Sequence, residues 1–275
     1  MSRVLGVSRS GYYKWLTIYN LRHSKNEKKL EKIKDVFKES GQTYGSPRIA
    51  IEIKKAGDTI SKTTVARIMK ANNLKVVPRK KFVLTTDSDH EYTVSENLLD
   101  RKFKVEAPNK VWVSDITYIP YNNKFCYLTI YMDLYDRAIV GWALSKDMTV
   151  INTTIAALQK AFKNRTIPKG QSLMIHSDRG VQYASKSFRS ILKRKNCVQS
   201  MSRKGNCWDN AVAESFFKSI KSEKLDKYEI KSFDEAYTLV FRYIEGWYNT
   251  KRIHSALNGM SPIEYFYKNL VNLAA

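Results

Sequence analysis

Long apolar runs and paired cysteines are both missing from this chain of 275 residues. No stretch of eighteen apolar residues exists, which argues against a membrane-spanning helix. The start of the chain has no long apolar stretch either, so we expect no signal peptide. The cysteines Cys126, Cys197 and Cys207 are odd in number and lack the spacing of metal ligands. This pattern predicts reduced thiols in the cytoplasm.

Acidic residues are scarce: 26 Asp and Glu stand against 48 Lys and Arg, and the formal net charge is +22. Residues 1–81 hold 20 basic and 6 acidic side chains, and residues 107–275 hold 25 and 14. Residues 82–106 reverse the balance, with 3 basic and 6 acidic side chains. Two basic blocks separated by an acidic linker predict two domains that contact nucleic acid. The alternative is a basic surface without a specific partner.

The first basic block has the pattern of a helical domain. Ser8 suits the N-cap of a short helix that resembles the second helix of a helix-turn-helix. The large side chains of that helix are Tyr12, Tyr13, Trp15 and Leu16. Too few residues precede Gly6 for a complete first helix, so we expect the chain to be the downstream part of a longer product. Residues 24–40 predict a separate amphipathic helix.

A second helix-turn-helix pattern covers residues 46–73. Ser46 as N-cap and Pro47 in the first turn begin one helix, and Gly57 follows its end. Ser61 suits the N-cap of the next helix. The apolar positions of that helix, predicted to pack inward, are Val65, Ile68 and Met69. Its outer basic positions, predicted to contact DNA, are Lys62, Arg67 and Lys70. An ordinary helical hairpin is the alternative.

From residue 110 the pattern changes to that of a mixed α/β sheet. Three consecutive strands are predicted at residues 110–119, 124–133 and 137–144. Helices and strands then alternate, with further strands at 172–178 and near Val198. The predicted helices lie near 150–163, near 185–194 and from about Asp209 onward.

Three carboxylates occupy positions that suit a metal site: Asp115 in the first strand, Asp178 at the end of the fourth and Glu214 in a helix. A carboxylate in a buried strand is costly to desolvate unless a cation compensates it. Oxygen ligands that leave positions for water and phosphate suit Mg²⁺, and two such ions support in-line displacement at phosphorus. Taken singly, each acid has a structural alternative as a turn, strand-end or exposed helical residue.

Other polar residues accompany these acids. Lys218 and Lys221 share a helical face with Glu214 and could meet phosphate. His176 is either at the rim of the site or a buried neutral histidine. We expect structural roles for three further acids, Asp133, Asp136 and Asp209, the last as a helix cap. Two residues near the C-terminus could reach phosphate or lie in a surface loop, namely Arg252 and His254.

At these residues the chain resembles the OrfB half of a bacterial insertion-sequence transposase of the IS-three family, whose catalytic domain is similar to retroviral integrases. The matching stretches are W-V-S-D-I-T-Y (112–118), H-S-D-R-G-V-Q-Y (176–183), S-M-S-R-K-G-N-C-W-D-N-A-V-A-E-S-F-F-K-S-I-K (200–221) and Y-N-T-K-R-I-H-S-A-L-N-G-M-S-P (248–262). The 35 residues between Asp178 and Glu214 are the spacing typical of the family. The stretch from Y-G-S-P-R-I to N-N-L-K-V resembles the helix-turn-helix that precedes the catalytic domain.

The resemblance implies an RNase H-like core and a catalytic triad of Asp115, Asp178 and Glu214 that binds two Mg²⁺ ions, with Mn²⁺ as a substitute. It implies cleavage at the element's ends to free a 3′-OH, followed by strand transfer into target DNA. Lys221 falls at the basic position that follows the glutamate. The full set of predicted DNA contacts is Lys221, Lys218, Lys62, Arg67, Lys70, Arg203, Lys204, Arg252 and His254.

The same resemblance implies the partners. They are the terminal inverted repeats, target DNA and the upstream OrfA product, fused or separate, in an oligomer assembled on DNA at the bacterial nucleoid. We expect no membrane partner. Ile253 departs from the family, which often has proline there.

Three alternatives remain at this point. A viral-type integrase would begin with a His-His-Cys-Cys zinc module, but residues 1–82 contain only His23 and no cysteine. A ribonuclease H would not need the helix-turn-helix block. A DNA-binding regulator with an inactive core is disfavoured by the intact triad and by Lys221.

Overall fold

The structure is a computed structural model that describes residues 6, 8–76 and 94–273. Within those ranges no helix is both long and apolar enough to cross a bilayer. The chain divides into two compact units, residues 1–78 and 79–275, and each is described by itself.

The first unit consists of three helices, α1 (Arg9–Glu39), α2 (Ser46–Lys55) and α3 (Lys62–Ala71). Ser8 is the N-cap of α1, as predicted, and its hydroxyl accepts a hydrogen bond of 3.0 Å from the Gly11 amide. The prediction of two separate helices before residue 40 was wrong, because α1 continues through 31 residues. Between Tyr12 and Glu39 the chain has neither proline nor glycine, so nothing in the sequence interrupts the helix.

Helices α2 and α3 confirm most of the predicted helix-turn-helix pattern. Ser61 caps α3 by accepting from the Thr64 amide at 3.1 Å. Gly57 follows α2 with a φ of 89°, a left-handed conformation that favours glycine. The N-cap of α2 is Gly45 and not Ser46, which is the first helical residue. The three predicted apolar positions of α3 are buried, and Lys62, Arg67 and Lys70 are exposed.

The second unit is built on a five-stranded sheet. Its strands are β1 (Val111–Tyr121), β2 (Lys124–Asp133), β3 (Ile139–Ser145), β4 (Leu173–Ser177) and β5 (Cys197–Met201). Their order across the sheet is β3-β2-β1-β4-β5. The first three strands pair antiparallel, whereas β1 with β4 and β4 with β5 pair parallel. The predicted mixed α/β sheet is confirmed, and β1 lies at its centre.

Helices cover both faces of this sheet. The helices of this unit are α4 (Ala156–Asn164), α5 (Val181–Ala184), α6 (Lys186–Arg194), α7 (Ala211–Glu223), α8 (Phe233–Tyr243) and α9 (Pro262–Leu273). On one face, Val113 of β1 shares a core with Phe216 of α7 and Val240 of α8. On the other face, Trp112 shares a core with residues of α4 and α6. Neighbouring side chains of β1 therefore pack into cores on opposite faces of the sheet, because side chains alternate along a strand.

The predicted linker 82–106 is only partly described, and its described part packs against the sheet of the second unit. Leu99 is buried in the core that contains Phe216. The amides of Leu98 and Leu99 donate to the Ser200 hydroxyl at 2.9 and 3.2 Å. The Met201 amide donates to the Glu96 carbonyl at 3.2 Å. Residues 94–103 are thus attached along β5, while residues 82–93 lie outside the described part of the chain.

Candidate active site

Asp115 lies in the middle of the central strand β1, on the face that α7 covers. Side chains alternate along a strand, so Asp115 shares a face with Val113 and not with Trp112. It is half-buried, and one carboxylate oxygen accepts a hydrogen bond of 2.9 Å from the Ile116 amide. The apolar strand therefore holds this carboxylate close to the core.

Asp178 follows β4 directly, next to β1 in the sheet. The last aligned pair between these parallel strands is Val113 with His176. Counting two residues onward along each chain from that pair gives Asp115 and Asp178. The Gly180 amide donates to the Asp178 carboxylate at 3.0 Å. A Cβ at residue 180 would lie 3.1 Å from that oxygen, so glycine allows the close approach.

Glu214 belongs to the first turn of α7. The buried side of this helix includes Phe216 and Ile220. The Glu214 side chain is 17% exposed and forms an ion pair of 3.3 Å with Lys218. The start of α7 is tied to β1 by Asn210, whose amide donates to the Ser114 carbonyl at 3.0 Å.

The electrostatics of Asp115 show that these groups influence one another. Burial, and then the charge of Asp178, raise the pKa of Asp115 well above its ordinary value, and Glu214 adds to the effect. Lys221 opposes it. Burial lowers the pKa of Lys221, while the charges of Asp226 and Asp115 oppose that shift. All four groups from the predicted site therefore interact in the folded chain.

The carboxylates are not gathered into a closed metal cage. Across residues 6, 8–76 and 94–273, no three His, Cys, Asp or Glu side chains lie close enough to hold one ion together. Mg²⁺ commonly takes only one or two protein carboxylates and completes its shell with water and phosphate oxygens. The donor set fits such a partly open site. It does not fit a structural metal centre.

Two contacts that support the strand at Asp115 were not predicted from the sequence. The Ser114 hydroxyl and the Tyr183 hydroxyl are 2.7 Å apart, and both side chains are buried. Together with the contact from Asn210, this fixes the residue before Asp115 from two sides. No signal in a single sequence distinguishes these polar side chains from ordinary loop residues.

A cluster of Asn97, Arg101, Arg203 and Asp209 holds the loop before α7. The fully buried Asp209 carboxylate accepts from Arg203 at 2.8 and 2.9 Å, from Arg101 at 2.8 Å and from Asn97 at 2.9 Å. It also accepts from the Arg203 amide at 3.0 Å. The hydrogen bonds from Arg203 lower the pKa of Asp209. Asp209 is structural, as expected, but it lies inside the 3₁₀ turn Cys207–Asn210 and is not the cap of α7.

The predicted DNA contacts differ in how available they are. Lys204 and Lys218 are exposed, and Lys221 is half-buried. Arg203 is 48% exposed, but its guanidinium already donates to Asp209. Lys218 already pairs with Glu214.

Arg252 contradicts its predicted role on the surface. It is 3% exposed, and its guanidinium donates to both carboxylate oxygens of Glu223. His254 is half-buried beside it, with its ring 4.9 Å from that of Tyr248. We therefore correct Arg252 to a structural residue, because a buried, doubly paired guanidinium has no free face for phosphate.

The remaining predicted polar residues are buried. His176 contacts the hydroxyls of Ser200 and Ser202 at 2.9 and 3.3 Å, and burial lowers its pKa to about 4. It is therefore a neutral buried histidine. Asp133 and Asp136 are fully buried and lie beside Arg165, which agrees with the expected structural roles.

A mixed RNase H-like sheet with carboxylates on its central strand, on the neighbouring strand end and on a covering helix defines an integrase core. Models of the integrase core domain match residues 105–207 and 195–262. A model of an HTH-like domain matches residues 24–82.

Proteins with similar sequences over nearly the whole chain identify the family more closely than the domain models do. The chain is 38% identical over 266 residues to an uncharacterized 31 kDa protein of insertion element IS600 from Shigella sonnei, covering 96% of this chain and 97% of that protein. It is 38% identical over 273 residues to transposase InsF for insertion sequence IS3A from Escherichia coli K12, covering 98% and 94%. The chain belongs to the IS3 family of insertion-sequence transposases, which are DDE polynucleotidyl transferases that bind DNA.

Among solved structures, the HTLV-2 integrase catalytic core domain in complex with magnesium is similar to this chain. The alignment has a TM-score of 0.45 and 19% identity, and it covers 57% of this chain and 96% of that one.

Proposed function

We propose that Asp115, Asp178 and Glu214 are the catalytic carboxylates of this transposase and bind two Mg²⁺ ions, with Mn²⁺ able to substitute. The observation that carries this is the register of the parallel strands β1 and β4, which brings Asp178 level with Asp115 on the face that α7 covers with Glu214. Burial and the charges of the two other carboxylates raise the pKa of Asp115, which supports the same assignment. Acids that repel one another in a half-buried site favour a divalent cation, because its charge offsets both the repulsion and the desolvation.

The reaction is hydrolysis at the element's end, which frees a 3′-OH, followed by attack of that hydroxyl on a target phosphodiester. When bound, Mg²⁺ supplies activation of the attacking oxygen and stabilisation of the leaving one. The carboxylates must be ionised to bind it, so the raised pKa of Asp115 opposes binding at low pH.

The other residues of the site position these groups. Ser114, held by Tyr183 and Asn210, fixes the strand at Asp115 and ties it to the helix of Glu214. Lys221 is half-buried and close enough to influence Asp115, which suits a cation that meets a DNA phosphate at the site. Lys218 would exchange its pairing with Glu214 for a phosphate when DNA binds.

The DNA partners are the element's terminal inverted repeats and the target DNA. The net charge of +22 supports tight phosphate binding, and the exposed Lys62, Arg67 and Lys70 of α3 are the candidates in the first unit. Lys204 is a candidate in the second unit. The protein would act with the upstream OrfA product, fused or separate, as an oligomer on DNA at the nucleoid, which membership of the IS3 family supports.

The test is Asp178→Asn in the full chain, supplied with the upstream product and a linear duplex that ends in the element's own terminal repeat. We expect loss of both 3′-end cleavage and strand transfer with Mg²⁺ or Mn²⁺, while binding to the duplex remains. Asp234→Asn, which changes an exposed acid at the start of α8, is the matched control and should keep wild-type rates.

Calorimetric titration with Mg²⁺ gives a readout that does not depend on turnover. We expect weaker metal binding by Asp178→Asn than by Asp234→Asn. Cleavage by Asp178→Asn at the wild-type rate would refute the assignment of the site. A wild-type chain that binds the duplex without ever cutting it would favour the regulator with an inactive core.

A further inference from the structure

Trp208 is a large apolar side chain that the fold holds out in solvent. It is 68% exposed, although the next two residues, Asp209 and Asn210, are buried. An indole can bury roughly 150–250 Å² of surface, so leaving it in water forgoes substantial stabilisation. A partner that covers the ring in the working complex would recover it.

The neighbours of Trp208 fix its position. Asp209 accepts five hydrogen bonds from Asn97, Arg101 and Arg203. Asn210 is tied to the Ser114 carbonyl at 3.0 Å. The backbone on the C-terminal side of Trp208 is therefore anchored to residues 94–103 and to β1. An aromatic ring on an anchored backbone loses little conformational freedom when it binds a partner.

Trp208 also lies close to the proposed site along the chain. It precedes Glu214 by six residues, through a 3₁₀ turn that continues into α7. At about 2 Å of rise per residue in the turn and about 1.5 Å in the helix, the separation along the axis is roughly 10 Å. One DNA strand advances about 3.4 Å per nucleotide, so this reach corresponds to about three nucleotides.

The surroundings favour nucleic acid as the partner. The exposed Arg203 and Lys204 precede Trp208 in the same loop, although the Arg203 guanidinium pairs with the buried Asp209 and with the exposed Asp100. An indole beside cationic side chains suits a nucleobase, which offers a flat π-face next to a phosphate. A paired base inside a duplex offers no such face, whereas a base at a melted or frayed end does.

We propose that Trp208 stacks on an unpaired base of the element's end, within about three nucleotides of the phosphodiester that is cut. This inference rests on the proposed function of Asp115, Asp178 and Glu214. Stacking compensates the unpairing that brings the strand into the site, since base–aromatic stacking contributes about 1–3 kcal/mol per base.

The first measurement is single-turnover cleavage of a duplex that ends in the element's terminal repeat. We expect Trp208→Ala to slow cleavage roughly tenfold to a hundredfold, the range that corresponds to such stacking energies. Trp208→Phe keeps a π-face and should recover most of the rate. Tyr267→Ala removes a similarly exposed ring, 65% exposed on α9, and should leave the rate unchanged. Thermal unfolding should be the same for all three variants.

The second measurement locates the base. A series of duplexes carries 2-aminopurine, a fluorescent base, at successive positions near the cleavage site. Each duplex is bound either by the Asp178→Asn variant or by the double variant that also carries Trp208→Ala. At one position we expect fluorescence quenched by the indole and higher in the double variant. An abasic nucleotide on the opposite strand, which removes the cost of unpairing, should restore much of the cleavage by Trp208→Ala.

The outcomes separate this inference from the function on which it rests. Wild-type cleavage by Trp208→Ala, or a 2-aminopurine signal that does not depend on Trp208 at every position, overturns the stacking role and leaves the carboxylates in place. A change only in the oligomeric state of Trp208→Ala assigns the ring to a protein contact and also overturns it. Cleavage by Asp178→Asn removes the function and the inference together.

Discussion

Arg252 and Glu223 form a buried bidentate ion pair that connects a C-terminal loop to the end of α7. The guanidinium Nη2 lies 2.7 Å from Oε1, and Nε lies 2.8 Å from Oε2. Tyr243 donates a further hydrogen bond of 2.8 Å to the same carboxylate. Since α7 also carries Glu214, the pair supports the helix of the proposed site from its far end.

The first prediction follows from the burial of that pair. Arg252→Ala leaves the Glu223 carboxylate buried without its partner, which should lower the free energy of unfolding by about 3–5 kcal/mol. Urea denaturation followed by circular dichroism measures this loss. Lys251→Ala, at the exposed neighbouring position, should change stability by less than about 0.5 kcal/mol. Equal effects of the two substitutions would contradict a structural role for Arg252.

The second prediction concerns Asp209 and acid. Hydrogen bonds from Arg203 lower the pKa of Asp209 below its unfolded value of about 3.9. Its contribution to stability is therefore complete above about pH 4 and is lost as the pH falls further. Asp209→Asn should lower stability at pH 7 by about 1–3 kcal/mol and remove this part of the acid dependence.

Asp100→Asn is the control for Asp209, because Asp100 pairs with the same arginine at 3.4 Å but its side chain is 58% exposed. Surface pairs contribute little, so this variant should keep the stability of the wild type at pH 7. Urea unfolding curves at several pH values between 2 and 7 compare the two variants. An unchanged acid dependence in Asp209→Asn would show that other carboxylates determine the stability in this range.

The strands of the second unit could be predicted from the sequence, because each has its own short alternating pattern of apolar and polar residues. Strand 124–133 matches β2 in full, and Asp115 and Asp178 stand at equivalent positions because β1 and β4 are parallel neighbours with Val113 level with His176. These features follow from short-range alternation and from the rules of sheet pairing. The assignment of the three carboxylates to one catalytic site stays a prediction. It came from the resemblance to the transposase family, because each acid taken singly has a structural alternative.

Contacts between distant residues could not be predicted in the same way. Arg101 and Asp209 are separated by 108 positions, and residues 94–103 have no periodic pattern that indicates where they attach. Arg252 lies in a polar, turn-rich stretch typical of a surface loop. Its burial depends on a carboxylate 29 positions earlier in the chain. Single-sequence patterns report local preference and do not report which polar groups satisfy each other.

The third prediction tests the connection between the strand of Asp115 and the helix of Glu214. Asn210→Ala removes the hydrogen bond to the Ser114 carbonyl, so Glu214 should lose its alignment with Asp115. A misplacement of about 1 Å can cost about a hundredfold in rate, so we expect a tenfold to hundredfold loss in the rate of cleavage. Affinity for DNA should hardly change. Asn152→Ala, which removes an exposed hydrogen bond to Asp147, should retain the wild-type rate. A loss of affinity without a loss of rate would assign Asn210 to DNA binding.

The fourth prediction tests the proposed DNA-binding surface of α3. Replacing Lys62, Arg67 and Lys70 together by glutamine should reduce the slope of log affinity against log salt by about 2–3, since each phosphate contact contributes about 0.9. Binding at several salt concentrations, measured by fluorescence anisotropy, gives the slope. Removing three exposed charges from α1 instead, at Lys28, Lys34 and Lys38, controls for net charge. The same decrease in both triple variants would show that α3 has no special role.

The fifth prediction concerns the packing of β3 against α4 at Gly141. A Cβ at this position would lie 2.4 Å from the Ala157 carbonyl oxygen and 2.5 Å from the Ala161 amide nitrogen. Both atoms belong to the helix backbone, so they cannot move aside as a flexible side chain would. Gly141→Ala should therefore force α4 away from the sheet and cost about 3 kcal/mol of stability, at the upper end of typical overpacking.

Gly246→Ala is the opposite case, because a Cβ there meets nothing within 4 Å and the residue is helical. It should stabilise the chain by about 0.5–1 kcal/mol through the better helical preference of alanine. Urea denaturation of the two variants distinguishes the packing effect from any general effect of adding a methyl group. If Gly141→Ala is as stable as the wild type, the close approach of β3 and α4 is wrong. The core on that face of the sheet, which supports β1 from the side opposite to Asp115, would then need a looser arrangement.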